Sequence, residues 1–222
     1  MYFSKIELRH DTDVIAHMAR TSTLDGYRLH QVLWQLFKGD EQMQRDFLYR
    51  RVESSNWPCF YIVSAHKPVD NQGVWTIQMK DYKPRLAAGQ CLAFSLRANP
   101  VVTKPGSHGK PVRHDVIMNA KRQLQAESRV TDNQGELIQQ AGHAWLQARA
   151  VKHGFRLEQV RVDAYRQHQL RKARSEHSIQ FSTVDFNGVL TVMKPEQLCQ
   201  TLYTGIGPAK GFGCGLLLVR RV

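Results

Sequence analysis

Apolar and polar side chains alternate along the first ten residues of the chain. Ser4, Ile6 and Leu8 fall on one side of an extended segment, whereas the charged Lys5 and Glu7 fall on the other. An alternation with period two is typical of a half-buried β-strand. We therefore expect a strand over residues 1–10.

A helical pattern follows over residues 26–38. Its apolar side chains recur at i, i+4, i+7 and i+8 and form one stripe: Leu29, Leu33, Leu36 and Phe37. Asp25 is a suitable N-cap and Gly39 a suitable end, so the segment predicts a short amphipathic helix.

Two strands are then predicted at residues 47–53 and 58–66, with a turn at 54–56 between them, and a third strand at 91–98. The segment 75–85 fits a strand, a loop or a short helix equally well. The first half of the chain thus has the order β-α-β-β, an unassigned stretch, and β.

The second half has helical patterns at residues 114–126 and 136–153, then strand patterns at 155–164 and 177–192. The Asn187-Gly188 pair stands between apolar residues and predicts a tight turn that divides the last segment into a hairpin. A helix from Pro195 to Tyr203 and a strand over residues 213–221 complete the order.

The segment 103–113 is rich in Gly, Pro and Lys, as a linker or mobile loop would be. We place a domain boundary there, with one domain at 1–102 and another at 114–222. The simplest architecture is α+β, with two β-α-β-β-α-β-like halves that each carry helices on one face of a sheet.

The composition is that of a soluble globular protein, with 42% hydrophobic and 23% charged residues and a net charge of +12. An excess of positive charge this large attracts a polyanion. The apolar runs are too short to span a bilayer and the N-terminus lacks the features of a secretory signal, so we expect a cytoplasmic protein. The four cysteines stand singly, which indicates neither a disulfide framework nor a zinc site.

The positive charge is concentrated in two segments, residues 104–129 and 149–177. The second contains Arg171, Lys172 and Arg174 in a polar connection between two strands, where a basic hairpin tip can contact phosphates. Nucleic acid, and structured RNA in particular, is therefore the favoured partner. A membrane surface is a weaker alternative, because no basic amphipathic helix with exposed aromatic residues stands out.

Tyr27 and His30 lie one turn apart on the predicted helix, beside its apolar stripe. An imidazole exchanges protons near neutral pH and a phenol can orient or stabilise a developing charge, so the two can act together on one bound group. Taken alone the pattern is weak, since a rim histidine and tyrosine with satisfied hydrogen bonds would give the same spacing.

Five glycines and one lysine occur within residues 205–215. Such a segment allows backbone N–H groups to approach an anion. It matches neither a Walker A loop nor a dinucleotide fingerprint, so a nucleotide cofactor is disfavoured. The alternative is a turn that packs tightly before the last strand.

Several motifs, taken in order, make the chain resemble the CRISPR repeat-processing endoribonucleases of the type I-E Cascade system, the CasE family. They lie at residues 1–5, 27–37, 45–48, 96–100, 113–116, 186–190, 205–210 and 212–217.

The resemblance implies two tandem ferredoxin-like domains that cut precursor CRISPR RNA at the base of each repeat hairpin, with no metal or other cofactor. It places the catalytic pair on His30 and Tyr27. The RNA-binding residues that we expect are Arg113, Lys121, Arg122, Arg171, Lys172, Arg174, Gly207, Lys210, Gly211 and Gly213. The expected partners are the repeat hairpin, the mature guide RNA and other Cascade subunits; the alternative is a non-catalytic RNA-binding protein of the same fold.

Overall fold

A computed structural model describes residues 1–9, 31–37, 46–52, 57–106, 109–126, 133–171 and 178–222. The described residues form three antiparallel sheets, the α-helices α1 to α3 and a further short helical stretch at residues 31–34. The strands are β1 (Tyr2–Leu8), β2 (Phe47–Arg51), β3 (Cys59–Ser64), β4 (Trp75–Asp81), β5 (Cys91–Ala98), β6 (Val101–Pro105), β7 (Pro111–Asp115), β8 (Phe155–Arg171), β9 (Ser178–Val192) and β10 (Leu217–Arg221). The helices are α1 (Val116–Ala126), α2 (Gln134–Ala150) and α3 (Pro195–Thr204).

The first sheet has the strand order β2-β3-β1-β4. Its inner face includes Ile6, as the alternation in β1 predicted, and packs against Leu33, Leu36 and Phe37. Residues 31–34 are helical and continue into the 3-10 turn Gln35–Phe37, so the apolar stripe predicted for this helix is buried where it is described. The segment that the sequence left unassigned contains β4, which pairs with β1 along its whole length.

The second sheet has the strand order β10-β5-β9-β8, and residues of α2 and α3 pack into its core. The three helices lie close to their predicted positions, and α2 continues into the 3-10 turn Val151–His153. Strands β8 and β9 pair from Phe155 opposite Val192 out to Arg171 opposite Ser178. The hairpin that they form is therefore much longer than the strand predicted at 155–164.

The linker prediction for residues 103–113 is wrong where the chain is described. Strands β6 and β7 pair there as a two-stranded hairpin, with Val101 opposite Asp115 and Pro105 opposite Pro111. The strand predicted at residues 91–98 is present as β5, but it belongs to the second sheet rather than the first, because it pairs with β9 and β10. The chain thus passes from the first sheet to the second between Asp81 and Cys91, upstream of the predicted boundary.

The tight turn predicted at Asn187-Gly188 is wrong as well. Both residues lie inside β9, where Asn187 is opposite Ser95 and Gly188 is opposite Phe94. A Cβ on Gly188 would lie 1.9 Å from the backbone oxygen of Gln159, next to the irregularity between Leu157 and Gln159 in β8. This glycine permits a close approach of the neighbouring strand rather than a turn.

Polar and apolar contacts join the two sheets. Arg50 of β2 donates from Nη1 to Ser95 Oγ of β5 at 2.8 Å. Arg97 of β5 donates to both carboxylate oxygens of Asp185 in β9, at 2.8 and 2.7 Å, and Arg50 Nη2 lies 3.8 Å from the same carboxylate. Next to these groups, Leu48 and Val63 of the first sheet cluster with Leu216, just before β10.

Candidate nucleic-acid interface

A groove with a volume of about 850 Å³ lies on the second sheet. One side is the β6–β7 hairpin with the start of α1, and the other is the outer half of the β8–β9 hairpin. The glycine-rich segment contributes Pro208, Ala209 and Phe212 to its lining. The groove therefore brings together three parts of the chain that are distant in sequence.

Two cations line this groove. Arg113 on β7 and Arg122 on α1 are exposed, and neither has an ion-pair partner among the described residues. The carboxylate of Asp115 is occupied, because Oδ1 accepts from the N–H groups of Ile117 and Met118, at 2.8 and 2.9 Å, and caps α1. Its Oδ2 accepts from the hydroxyl of Tyr165 at 3.1 Å. The groove thus presents positive charge to an anion.

Lys121 lies beside the groove rather than in it. Its Nζ is 5.8 Å from the centre of the Tyr165 ring, a distance at which an ammonium group interacts with the face of an aromatic ring. Tyr165 is half-buried, and burial together with the charge of Asp115 raises the pKa of its phenol to about 12. This phenol therefore stays protonated and donates its hydrogen bond to Asp115.

The glycine-rich segment is held against the protein by its own backbone and by one tyrosine. The Ile206 N–H donates to the oxygen of Gly215 at 2.9 Å, and the Gly215 N–H donates to the oxygen of Arg97 at 2.7 Å. Tyr49 of the first sheet donates from its hydroxyl to the oxygen of Gly211 at 3.0 Å. Tyr49 packs with Leu33 in the core of the first sheet, so it connects that core to the glycine-rich segment.

Two glycines of this segment are favoured by their backbone conformation, and both lie next to an aromatic ring. Gly207 and Gly213 have φ values of 79° and 77°, in the region that favours glycine. A Cβ on Gly207 would lie 3.4 Å from the Trp145 ring, and one on Gly213 would lie 3.3 Å from the Tyr49 ring. The segment also contains the short 3-10 turn Lys210–Phe212. The residues that reach the groove are therefore neighbours of the predicted glycines, not the glycines themselves.

Sequence reasoning missed a column of three rings in the groove wall. His168 stacks on Phe181 with centroids 4.8 Å apart, and Phe181 stacks on Phe212 at 4.9 Å. His168 Nε2 also lies 2.9 Å from Thr183 Oγ1. Burial lowers the pKa of His168, and the charges of Arg97 and Arg166 lower it further. No local pattern could identify this column, because its members come from β8, β9 and the glycine-rich segment.

The remaining predicted site residues lie at or beyond the limits of the described chain. Tyr27 and His30 fall outside the described residues, although Gln31 follows immediately and Trp34 packs on Phe47 with centroids 5.6 Å apart. Lys172 and Arg174 also fall outside, and only the backbone of Arg171 is described, at the end of β8. Their roles stay predictions.

The described side chains do not indicate a metal centre. Within the described ranges, no group of three or more His, Cys, Asp and Glu side chains is placed to hold a metal ion. The cysteines are free, and burial raises the pKa of the Cys214 thiol to about 12. Among the helices in the described part of the chain, none is long and apolar enough to cross a membrane.

A groove lined by two exposed arginines, in a chain with a net charge of +12, is suited to a polyanion such as nucleic acid. The model of the family described as CRISPR associated protein matches residues 1–221. The chain therefore belongs to this family of CRISPR-associated proteins, and its relatives place it in the type I-E CasE group.

Two relatives and one solved structure illustrate this membership. The chain is 34% identical, over 98% of both chains, to the CRISPR system Cascade subunit CasE of Escherichia coli K12. It is 28% identical to the CRISPR-associated endoribonuclease Cse3 of Thermus thermophilus, over 90% of this chain and 92% of that protein. The structure of Thermus thermophilus Cse3 bound to an RNA that represents a pre-cleavage complex superposes with a TM-score of 0.70, at 26% identity, and covers 99% of this chain and 98% of the other.

These comparisons confirm two predictions from the sequence. The resemblance to the CasE family is confirmed by the family model and by identity along nearly the full chain. The fold class, α+β with two tandem ferredoxin-like domains, is confirmed by the match to solved structures of this group.

Proposed function

We propose that this protein is a metal-independent endoribonuclease that cuts precursor CRISPR RNA within each repeat, at the base of the repeat hairpin. The observation that carries this proposal is the 34% identity, over 98% of both chains, to a Cascade subunit named CasE. The relative named an endoribonuclease and the relative bound to RNA support the same activity. The protein keeps the mature guide RNA and joins other Cascade subunits, and it works in the cytoplasm.

The proposed reaction is an internal transesterification of RNA. The 2′-oxygen next to the scissile phosphate forms a bond to phosphorus, and the bond from phosphorus to the 5′-oxygen breaks. One group removes the 2′-hydroxyl proton and another donates a proton to the leaving 5′-oxygen. The products are a 2′,3′-cyclic phosphate and a 5′-hydroxyl. No metal or external water enters this balance.

His30 and Tyr27 supply the proton transfers in this proposal. Imidazole exchanges a proton near neutral pH, so His30 carries one transfer, and Tyr27 or a nearby cation supports the other. Both precede the helical residues 31–34, which are anchored through Leu33 in the first core. Positioning of the reacting groups contributes to the rate together with acid–base catalysis, and the anchored residues directly after His30 favour it.

In this proposal the RNA is bound by cations on β7 and α1, beside the β8–β9 hairpin. Arg113 and Arg122 line the groove and Lys121 lies beside it, and cations of this kind neutralise phosphates. Arg171, Lys172 and Arg174, which follow one another closely in sequence after the body of β8, contact the RNA stem in this proposal. Gly207, Lys210, Gly211 and Gly213 belong to the segment whose backbone approaches the RNA.

The test is cleavage of a repeat-hairpin RNA in excess EDTA by the wild type and by His30→Ala. We expect the wild type to cut and His30→Ala to be slower by about 10²- to 10⁴-fold, the usual contribution of one acid–base group, with RNA binding retained. His143→Ala is the matched control, because that histidine is exposed on α2, and it should cut at the wild-type rate.

A substrate with a 2′-deoxy substitution at the scissile nucleotide removes the proposed nucleophile, so the wild type should leave it intact. Cutting of that substrate would refute the internal transesterification. If the wild type and both variants bind the unmodified RNA tightly and none of them cuts it, the protein is a non-catalytic RNA-binding protein.

A further inference from the structure

Tyr49 on β2 lies between two parts of the chain that the proposed reaction uses. Its side chain is 2% exposed and belongs to the core of the first sheet together with Leu33, which stands three positions after His30 in the sequence. Its hydroxyl extends out of this core and donates to the backbone oxygen of Gly211 at 3.0 Å. One side chain thus joins the core beneath the helical segment 31–34 to the glycine-rich segment.

This hydrogen bond fixes the peptide group between Gly211 and Phe212. The oxygen of that peptide accepts from Tyr49, and its N–H donates to the oxygen of Ala209 at 2.9 Å. A peptide group is planar, so a hydrogen bond on each side fixes its orientation. Without the Tyr49 hydroxyl only the bond within the glycine-rich segment would remain. Tyr49 therefore sets how the turn Lys210–Phe212 lies against the first sheet.

The backbone on both sides of this turn has a conformation that needs support from its surroundings. Ala209 has a φ of 58°, in the left-handed region that residues other than glycine rarely adopt. Gly213 has a φ of 77°, and a Cβ added there would lie 3.3 Å from the Tyr49 ring. A residue in a sparsely populated region keeps its conformation only when the surrounding structure imposes it. The ring and the hydroxyl of Tyr49 are part of that surrounding structure.

The turn contains one residue that we expect to bind RNA and one that lines the groove. Lys210 begins the turn, and Phe212 ends it and stacks on Phe181 with centroids 4.9 Å apart. A rotation of the Gly211–Phe212 peptide would displace both residues relative to the helical segment 31–34. Small displacements of the groups that position a substrate lower the rate of a reaction strongly. The orientation of this peptide therefore affects where bound RNA lies.

We infer that Tyr49 is a positioning residue of the proposed reaction. Its hydroxyl holds the Lys210–Phe212 turn in place relative to the residues that follow His30, so that RNA on this turn reaches the catalytic group. This inference rests on the proposed function, which supplies the reaction and the catalytic pair. It assigns to the hydroxyl an effect on the rate of cutting that a place in the core does not require.

The test variant is Tyr49→Phe, which removes the hydroxyl and keeps the ring in the core. The rate of cutting of a repeat-hairpin RNA is measured in single turnover, with the protein in saturating excess. Affinity is measured by fluorescence anisotropy on the same RNA with a 2′-deoxy scissile nucleotide, so that binding is separated from cutting. Equilibrium urea denaturation reports the stability of each variant.

Tyr203→Phe is the matched control. Tyr203 of α3 is half-buried, and its hydroxyl also donates to a backbone oxygen, that of Tyr82, at 3.1 Å. This bond likewise connects the two halves of the molecule, because Tyr82 directly follows β4 and α3 packs into the core of the second sheet. It lies outside the glycine-rich segment and the lining of the groove. The two variants therefore lose the same kind of bond at different places.

We expect Tyr49→Phe to cut about 10-fold more slowly than the wild type, the effect of one lost hydrogen bond. Its affinity for the RNA should stay within about twofold of the wild type, because the cations on β7 and α1 still bind phosphates. Tyr203→Phe should cut at the wild-type rate. Both variants should unfold at similar, slightly lower urea concentrations, so a purely structural effect would change stability without a difference in rate.

Cutting by Tyr49→Phe at the wild-type rate would overturn the inference and leave the proposed function intact. Equally slow cutting by Tyr203→Phe would also overturn it, since any loosening between the two sheets would then be sufficient. Weaker binding by Tyr49→Phe with an unchanged rate at saturation would assign the hydroxyl to binding instead. If the wild type does not cut the RNA, the proposed function itself fails and the inference fails with it.

Discussion

At the scale of single residues, His168 shows how burial and neighbouring charge act on one side chain. It is half-buried between the Phe181 ring and Thr183, and two arginines, Arg97 and Arg166, lie close enough to disfavour its protonated form. Burial is the larger cause and lowers its pKa below the ordinary value of about 6.5. The folded protein therefore binds a proton at this site less readily than the unfolded chain does.

This difference predicts how the free energy of unfolding depends on pH. Well above pH 6.5 the histidine is neutral in both states. As the pH falls below that value the unfolded chain takes up the proton first, so stability decreases until the pH reaches the lowered pKa of the folded state. His168→Gln should reduce this decrease between pH 7.5 and 5.5, as measured by urea denaturation.

The matched control for this prediction is His143→Gln, since that side chain is exposed on α2. It should retain the wild-type change in stability between the two pH values. If the stability of His168→Gln changes with pH as much as that of the wild type, other groups are responsible for the acid sensitivity. One candidate is the half-buried His153, whose pKa is also lowered by burial.

At the scale of elements, Gly188 decides how β8 and β9 fit together. A Cβ at this position would lie 1.9 Å from the oxygen of Gln159, and this oxygen belongs to backbone that cannot move aside cheaply. Gly188→Ala should therefore lower the free energy of unfolding by about 1–3 kcal/mol, the usual cost of overpacking. The measurement is equilibrium urea denaturation followed by circular dichroism.

Gly135→Ala is the control for Gly188→Ala. Gly135 is exposed in the first turn of α2, and the nearest atom to an added Cβ is the side-chain Oδ1 of Asn133, at 3.3 Å. Alanine favours a helix over glycine, so this variant should be as stable as the wild type or more stable. Equal stability of Gly188→Ala and the wild type would contradict the close approach of the two strands.

The elements themselves could be predicted from local patterns wherever one face is buried. The alternation in β1 and the helical spacing of Leu33, Leu36 and Phe37 both report a buried face, and the structure confirms them. Strand β4 was left unassigned although its sequence alternates, with Trp75, Ile77 and Met79 on one face and polar residues between them; it lies at an edge of the first sheet and is largely exposed. Strands β6 and β7 were missed because Gly, Pro and Lys in an exposed hairpin resemble a linker.

The candidate site was only partly predictable. Arg113 and Arg122 were identified from charge, and the structure places both in the groove. Phe181, which stacks between His168 and Phe212 in the groove wall, was not identified, because a phenylalanine in a strand has no distinctive pattern. Its two neighbours come from distant parts of the chain.

At the scale of the whole molecule, a largely buried group of charges lies where the two sheets meet. Arg97 and Asp185 of the second sheet form an ion pair, with side chains 13% and 14% exposed, and Arg50 of the first sheet lies 3.8 Å from the same carboxylate. Removal of one partner from a buried pair leaves an uncompensated charge. Asp185→Asn should therefore lower the free energy of unfolding by about 3 kcal/mol in urea denaturation.

Asp163→Asn provides the comparison for this prediction. Asp163 also pairs with an arginine, Arg161, but the two side chains are 40% and 75% exposed. An exposed pair is screened by water and contributes little, so this variant should be nearly as stable as the wild type. If Asp185→Asn and Asp163→Asn lose similar amounts of unfolding free energy, burial of the Arg97–Asp185 pair does not contribute to stability.

By itself the sequence determined the broad nature of this protein: an α+β chain with a basic surface, most of its helices and strands, and its family. These properties depend on composition, on local periodicity and on motifs in a given order, all of which can be read along the chain. Only the tertiary structure decided that β5 joins the second sheet, that Asn187 and Gly188 lie inside a strand, and that Phe181 lines a groove. Each of these depends on pairing between residues far apart in the chain, as with Ser95 opposite Asn187, and local side-chain patterns do not encode such partners.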